Sequence, residues 1–183
     1  MLFGLCTGNA FVAAALLFSH EGRRGVATLC LALAAYAQVY ALVLLPAVCQ
    51  LLYVSSTGKE EKAPAFGPGS YVLSAGAFSC WLGALLWLSY ASGQGWDFLR
   101  NYRALVTAQD HTPNLGLYWY MFSLVFEPFR DFFSFVFNYH FFAYPFPMLA
   151  RIPHDPLFVA CWCVLCIGIF KSYPSVPETE LKP

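Results

Sequence analysis

Residues 26–54 read VATLCLALAAYAQVYALVLLPAVCQLLYV, with no charged side chain among them. A bilayer's hydrocarbon core takes a helix of about 20 residues, so this run of about 29 is longer than one untilted span and shorter than two. It requires a bend, and residues 38–46 supply one. A glutamine amide (Gln38) is costly at mid-bilayer, and Pro46 removes a backbone donor. Arg23 and Arg24 precede the run, and Lys59 and Lys62 follow it. A single crossing would separate the two basic pairs, whereas a short hairpin keeps both on one side of the membrane, as basic loop residues prefer. The hairpin is therefore favoured. Tyr36, Gln38 and Tyr40 form a polar island in this run, and the partner that Gln38 needs is expected at the helix break.

Outward from this stretch, residues 2–18 form an apolar run near the spanning minimum of about 17, without the basic start or cleavage site of a secretory signal. Residues 55–69 hold Lys59, Glu60, Glu61 and Lys62 and then Pro64, Gly67, Pro68 and Gly69, a linker composition that does not sustain a helix. Residues 71–90 read as a clean span, with Trp87 and Tyr90 toward its far interface. Residues 93–114 are polar enough to leave the membrane, and Thr112 and Pro113 fit the cap and first turn of the next helix.

Residues 115–148 are the most aromatic part of the chain, interrupted by Glu127, Pro128, Arg130 and Asp131. Ionised groups at the bilayer centre cost roughly 2.5 to 3.5 kcal/mol each, so two helices are expected rather than one. The first, residues 115–126, is too short to span and lies at the interface or re-enters. The second opens at Pro128, with Glu127 at the positive end of its dipole, and runs to about residue 144, where Pro145 and Pro147 end it. The spacing of three lets Glu127 and Arg130 neutralise each other. The aromatic residues around them, including Trp119, Tyr120, Phe122, Phe126, Phe132 and Phe133, read first as packing against neighbouring helices and second as an acyl-chain groove. A polar turn at residues 151–156 leads to a last apolar helix, residues 157–170.

The whole reads as all-α: a polytopic transmembrane helix bundle with short broken helices over residues 1–174, then a polar, disordered tail over 175–183. Composition agrees, with 59% hydrophobic and 11% charged residues against roughly 25% charge in an ordinary soluble domain. The balance of ten basic and ten acidic side chains offers no nucleic-acid surface. The seven cysteines all lie in apolar runs, where a free thiol behaves as a small hydrophobe, and Cys161, Cys163 and Cys166 lack the paired C-x-x-C spacing of a zinc site. No nucleophile elbow, H-E-x-x-H, Walker loop or dinucleotide fingerprint is present, so the motifs point to no catalytic constellation and no cofactor. Asp97, Asp110 and His111 share one loop, where a carboxylate acting as base on a lipid-linked sugar is the enzymatic alternative to an ordinary hydrated loop.

At Asn114-Leu-Gly-Leu-Tyr-Trp-Tyr120, preceded by Thr112-Pro113 and followed by Phe126-Glu127 and Phe132-Phe133, the sequence resembles the PIG-U family. Ile169-Phe-Lys-Ser-Tyr-Pro174, Trp96-Asp97-Phe98, and Leu31-Ala-Leu-Ala34 with Tyr36, Gln38 and Tyr40 extend the likeness along nearly the whole chain. The resemblance implies a multi-pass protein of the endoplasmic reticulum membrane, its fold related to the lipid-sugar mannosyltransferases. It implies a non-catalytic subunit of the glycosylphosphatidylinositol (GPI) transamidase that helps present the GPI lipid, with the other transamidase subunits, the GPI lipid and the membrane as partners. Asn114, Trp119, Tyr120, Glu127 and Phe132 are the lipid- or partner-binding residues it points to. Family members are longer, which implies a fragment or truncated form. Two departures stand out: Ala41 where the family has proline, and Leu124 where it tends to have an acidic residue. A lipid-linked mannosyltransferase of the same fold and an inactive truncated product are the alternatives.

Overall fold

A computed structural model describes residues 2–57, 68–94 and 117–170, and all regular structure among them is helical. Lys59, Lys62, the polar loop around Asp97 and Asp110, the expected cap at Thr112, Asn114 and the tail lie outside the described residues.

Helix α1 (Leu2–His20) and helix α2 (Arg24–Ala37) pack side by side as an antiparallel pair. The reversal between them turns on Gly22, whose φ of 75° lies in the left-handed region that glycine adopts without a steric cost. Small residues at the seam, Ala15, Ala27 and Ala34, are fully buried and let the two backbones approach closely. Gly8 is a second point of close approach. A Cβ there would lie 2.6 Å from Nε2 of Gln38.

The expected bend is present. Helix α2 stops at Ala37, Gln38 is extended (φ −143°, ψ 109°), and a 3-10 turn over Val39–Leu44 leads into α3 (Leu45–Thr57), with Pro46 in its first turn. Gln38 serves the break itself: its N–H donates to Ala34 O at 2.7 Å and its C=O accepts from Ala41 N at 3.0 Å. Ala41 thus uses an N–H that a proline would lack.

Helix α3 then returns to where α2 began, since Ser55 Oγ donates to His20 O at 2.9 Å in the α1–α2 turn. Helix α4 (Pro68–Ser89) starts at the same end, where Arg24 Nη2 donates to Ser70 Oγ at 3.2 Å. At the other end Tyr36 and Ser89 share a hydrogen bond, so α2 and α4 run parallel. The hairpin expected for residues 26–54 is thereby formed, and both flanks of residues 58–67 lie at the end that carries Arg23 and Arg24. Helix α4 begins earlier than expected because Pro68 suits a first-turn position that has no intrahelical acceptor for an N–H. It closes in a π-turn, Tyr90–Gln94. Two continuous helical segments, Val39–Thr57 and Gly69–Ser92, are long and apolar enough to cross a membrane.

Past residue 116 the helices are short: α5 (Leu117–Ser123), α6 (Glu127–Tyr139), a 3-10 turn at His140–Ala143, α7 (Pro145–Arg151) and α8 (Pro156–Phe170). The expected split of the aromatic stretch is observed, but its boundaries move. The first helix ends at Ser123, the second at Tyr139, and Pro145 and Pro147 open a further helix instead of merely closing one. Proline blocks a helix only where its missing N–H would have found an acceptor, which the first turn does not offer. Asp155 caps α8, its Oδ1 accepting from Phe158 N at 3.0 Å just ahead of Pro156.

Helix α3 is central, packed against α1, α4, α7 and α8. The core around it gathers Leu31, Leu44, Leu52, Phe78, Phe141, Leu149 and Val159 from seven elements. Gln50, fully buried, donates to Pro153 O at 3.1 Å and ties the α7–α8 turn to α3. Cys30, Cys49, Cys163 and Cys166 are buried free thiols, while Cys80 and Cys161 are free and exposed.

Candidate lipid- and partner-facing surface

The candidate surface is built on α5, α6 and the break between them. Leu124 N donates to Met121 O at 3.2 Å, closing α5, and Phe126 turns the chain with φ −60° and ψ 138°. Pro128 then occupies the first turn of α6, where Phe129 N donates to Phe126 O at 3.1 Å. Glu127 stands in that first turn, at the positive end of the helix dipole.

One seam of this segment is fastened. Phe122 of α5 meets Phe137 of α6 edge to face at 5.8 Å, and Phe137 meets Phe170 of α8 at 5.5 Å. His140 stacks edge-on against Phe170 at 4.5 Å and against Tyr144 at 5.3 Å. Such pairs contribute about 0.5 to 1.5 kcal/mol each beyond the area they bury. Phe122 and Phe137 are buried; the other aromatic residues of α6 are largely uncovered.

Phe126 is 79% exposed, Phe132 64% and Tyr120 63%, and Phe129, Phe133 and Phe135 are exposed with them. Phe132 and Phe133 pack edge to face at 5.5 Å and hold each other across the outer side. Exposed aromatic side chains gathered on one short segment are the kind of surface that a membrane or a partner protein covers.

Of the residues singled out by sequence, Tyr120, Glu127 and Phe132 are exposed on this segment and Trp119 is half-buried in α5. Asn114 lies outside the described residues. The expected ion pair between Glu127 and Arg130 is not formed. Glu127 is exposed, and the half-buried Arg130 has its Nε enclosed with no hydrogen-bond partner among the described residues. Among the contacts not anticipated from sequence are Arg24 with Ser70, Tyr36 with Ser89, and the cap at Asp155. The first two join residues far apart along the chain and leave no local signal. The third was legible in Asp155-Pro156 ahead of an apolar run.

Comparison with known proteins gives one consistent result. The family model described as GPI transamidase subunit PIG-U matches residues 5–181. The human GPI-anchor transamidase component PIGU is 32% identical over 178 residues, covering 94% of this chain and 40% of the human protein. The mouse protein of the same description is 32% identical over 175 residues, with the same coverage. The GPI transamidase component GAB1 of Saccharomyces cerevisiae is 35% identical over 97 residues, covering 51% of this chain and 25% of the yeast protein. The chain therefore spans about 40% of the length of its mammalian relatives.

Proposed function

The chain belongs to the PIG-U family, and on that premise we propose that it acts as a non-catalytic, multi-pass membrane subunit of a GPI transamidase complex in the endoplasmic reticulum. Its task there is to help present the GPI lipid for attachment to proteins. The observation that carries this reading is the family match across residues 5–181, joined to relatives whose descriptions name them as components of that transamidase. The multi-span bundle it implies is related to that of the lipid-sugar mannosyltransferases.

The uncovered aromatic segment supports the reading in physical terms. Tyr120 and Phe132, beside the half-buried Trp119, offer acyl chains or partner helices an apolar face, and the exposed Glu127 supplies a polar group on the same segment. Positioning of this kind works by holding reactants in register and needs no nucleophile from the subunit.

The test is expression of the tagged chain in cells lacking PIG-U. Co-purification of the transamidase subunits together with restored surface display of a GPI-anchored protein is the expected result. Binding without restored display would reduce the chain to a docking fragment, and neither result would leave an inactive product.

A further inference from the structure

At the end of the bundle where α2 and α4 both begin, Arg24 is half-buried. Its Nη2 donates to Ser70 Oγ at 3.2 Å, but its Nε is enclosed and has no hydrogen-bond partner among the described residues. Nor does Arg24 have an ion-pair partner among them. The neighbouring Arg23 holds Glu21 at 3.2 Å instead. One turn beyond Ser70, on the same side of α4, Ser74 is fully buried, and its Oγ likewise has no partner among the described residues.

Other polar groups nearby are already engaged. Thr28 Oγ1 donates to the carbonyls of Arg24 and Gly25 at 2.9 and 3.1 Å, and Tyr71 donates to Pro46 O at 3.2 Å, fixing the start of α4 against α3. What remains is a partly desolvated guanidinium and a buried hydroxyl along one seam, at the N-terminal ends of two parallel helices. A cation removed from water is costly unless an anion accompanies it. The guanidinium fork suits phosphate oxygens, and both helix N-termini add partial positive charge. The apolar segment Gly69–Ser92 starts here, which sets the seam at headgroup depth if that segment crosses the membrane.

We propose that Arg24, with Ser70 and the N-terminal ends of α2 and α4, binds the phosphate of a glycerophospholipid headgroup. The proposal rests on the membrane placement given above and is independent of the transamidase role. Native mass spectrometry of the full chain in dodecyl maltoside tests it, with dioleoyl phosphatidic acid, dioleoylglycerol and inorganic phosphate titrated separately.

The unaltered chain should retain phosphatidic acid, and Arg24→Gln should bind it about tenfold more weakly, the loss of a charge-assisted hydrogen bond. Dioleoylglycerol should bind both proteins alike, and Arg24→Lys should keep part of the affinity. Circular dichroism must show equal helicity. Should Arg24→Gln fail to fold, Ser70→Ala is read in its place and should weaken retention severalfold.

Equal retention of phosphatidic acid by a folded Arg24→Gln would overturn the proposal. So would inorganic phosphate binding as well as the lipid, which would make the site one for free anions. Binding that emerges only after Glu60→Gln and Glu61→Gln would assign Arg24 to the chain's own linker. Flotation with dioleoylphosphatidylcholine vesicles reads the membrane placement separately.

Discussion

Two single residues hold joints whose strength is measurable. Asp155 accepts the Phe158 N–H at the start of α8, and replacing such a cap by alanine costs about 1 kcal/mol. Asp155→Ala should therefore lower the midpoint of unfolding in detergent, while Asp155→Asn, which keeps an acceptor oxygen, should restore most of it. The second joint is Gly8 against Gln38. A leucine at Gly8 would drive its Cβ to within 2.6 Å of the amide nitrogen and 3.0 Å of the amide carbon, overpacking the α1–α2 seam by about 1 to 3 kcal/mol. The obstacle is one side chain, so Gly8→Leu should be far less damaging in a Gln38→Ala background. A double-mutant cycle on thermal unfolding reads that coupling, and strictly additive effects would exclude the contact.

Elements divide by whether their boundaries are written locally. The break at Gln38 was legible because an amide in an apolar run has few places to go, and the break before α6 because Glu127 and Pro128 cannot sit in mid-bilayer. Helix α7 was not legible, since Pro145 and Pro147 read as stops until the preceding turn is seen to leave their first-turn positions without acceptors. The pairing of Glu127 with Arg130 failed for a related reason. Spacing along a helix permits such a contact but cannot require it, and the exposed Glu127 keeps its hydration while Arg130 is half-buried. Helix α6 itself divides into a fastened side and an open one, which separates stability from binding. Phe137→Ala removes a buried ring and should destabilise the chain by about 3 to 5 kcal/mol. Phe132→Ser, on the exposed face, should leave unfolding within about 0.5 kcal/mol of the parent yet reduce co-purification of transamidase subunits or lipid. The reverse pattern would mean that the open face is covered within the chain itself.

At the scale of the molecule, the contacts that set the helix directions join residues remote in sequence, and no periodicity announces them. Composition pointed to a membrane class, and the apolar runs marked most of the helical segments. The direction of each run follows from Ser55 meeting His20, Arg24 meeting Ser70 and Tyr36 meeting Ser89. Together these place His20, Thr57 and the start of α4 at one end and Ser92, past the other end of α4, opposite them. The consequence is a topology that chemical labelling can read. With the seven native cysteines replaced by alanine, single cysteines at the exposed positions His20, Thr57 and Ser92 are introduced one at a time into the chain in sealed microsomes. A membrane-impermeant maleimide should reach His20→Cys and Thr57→Cys from the same side and Ser92→Cys only from the other. If His20→Cys and Thr57→Cys react from opposite sides, residues 26–54 cross once, and the hairpin that brings Arg24 to Ser70 does not exist in the membrane.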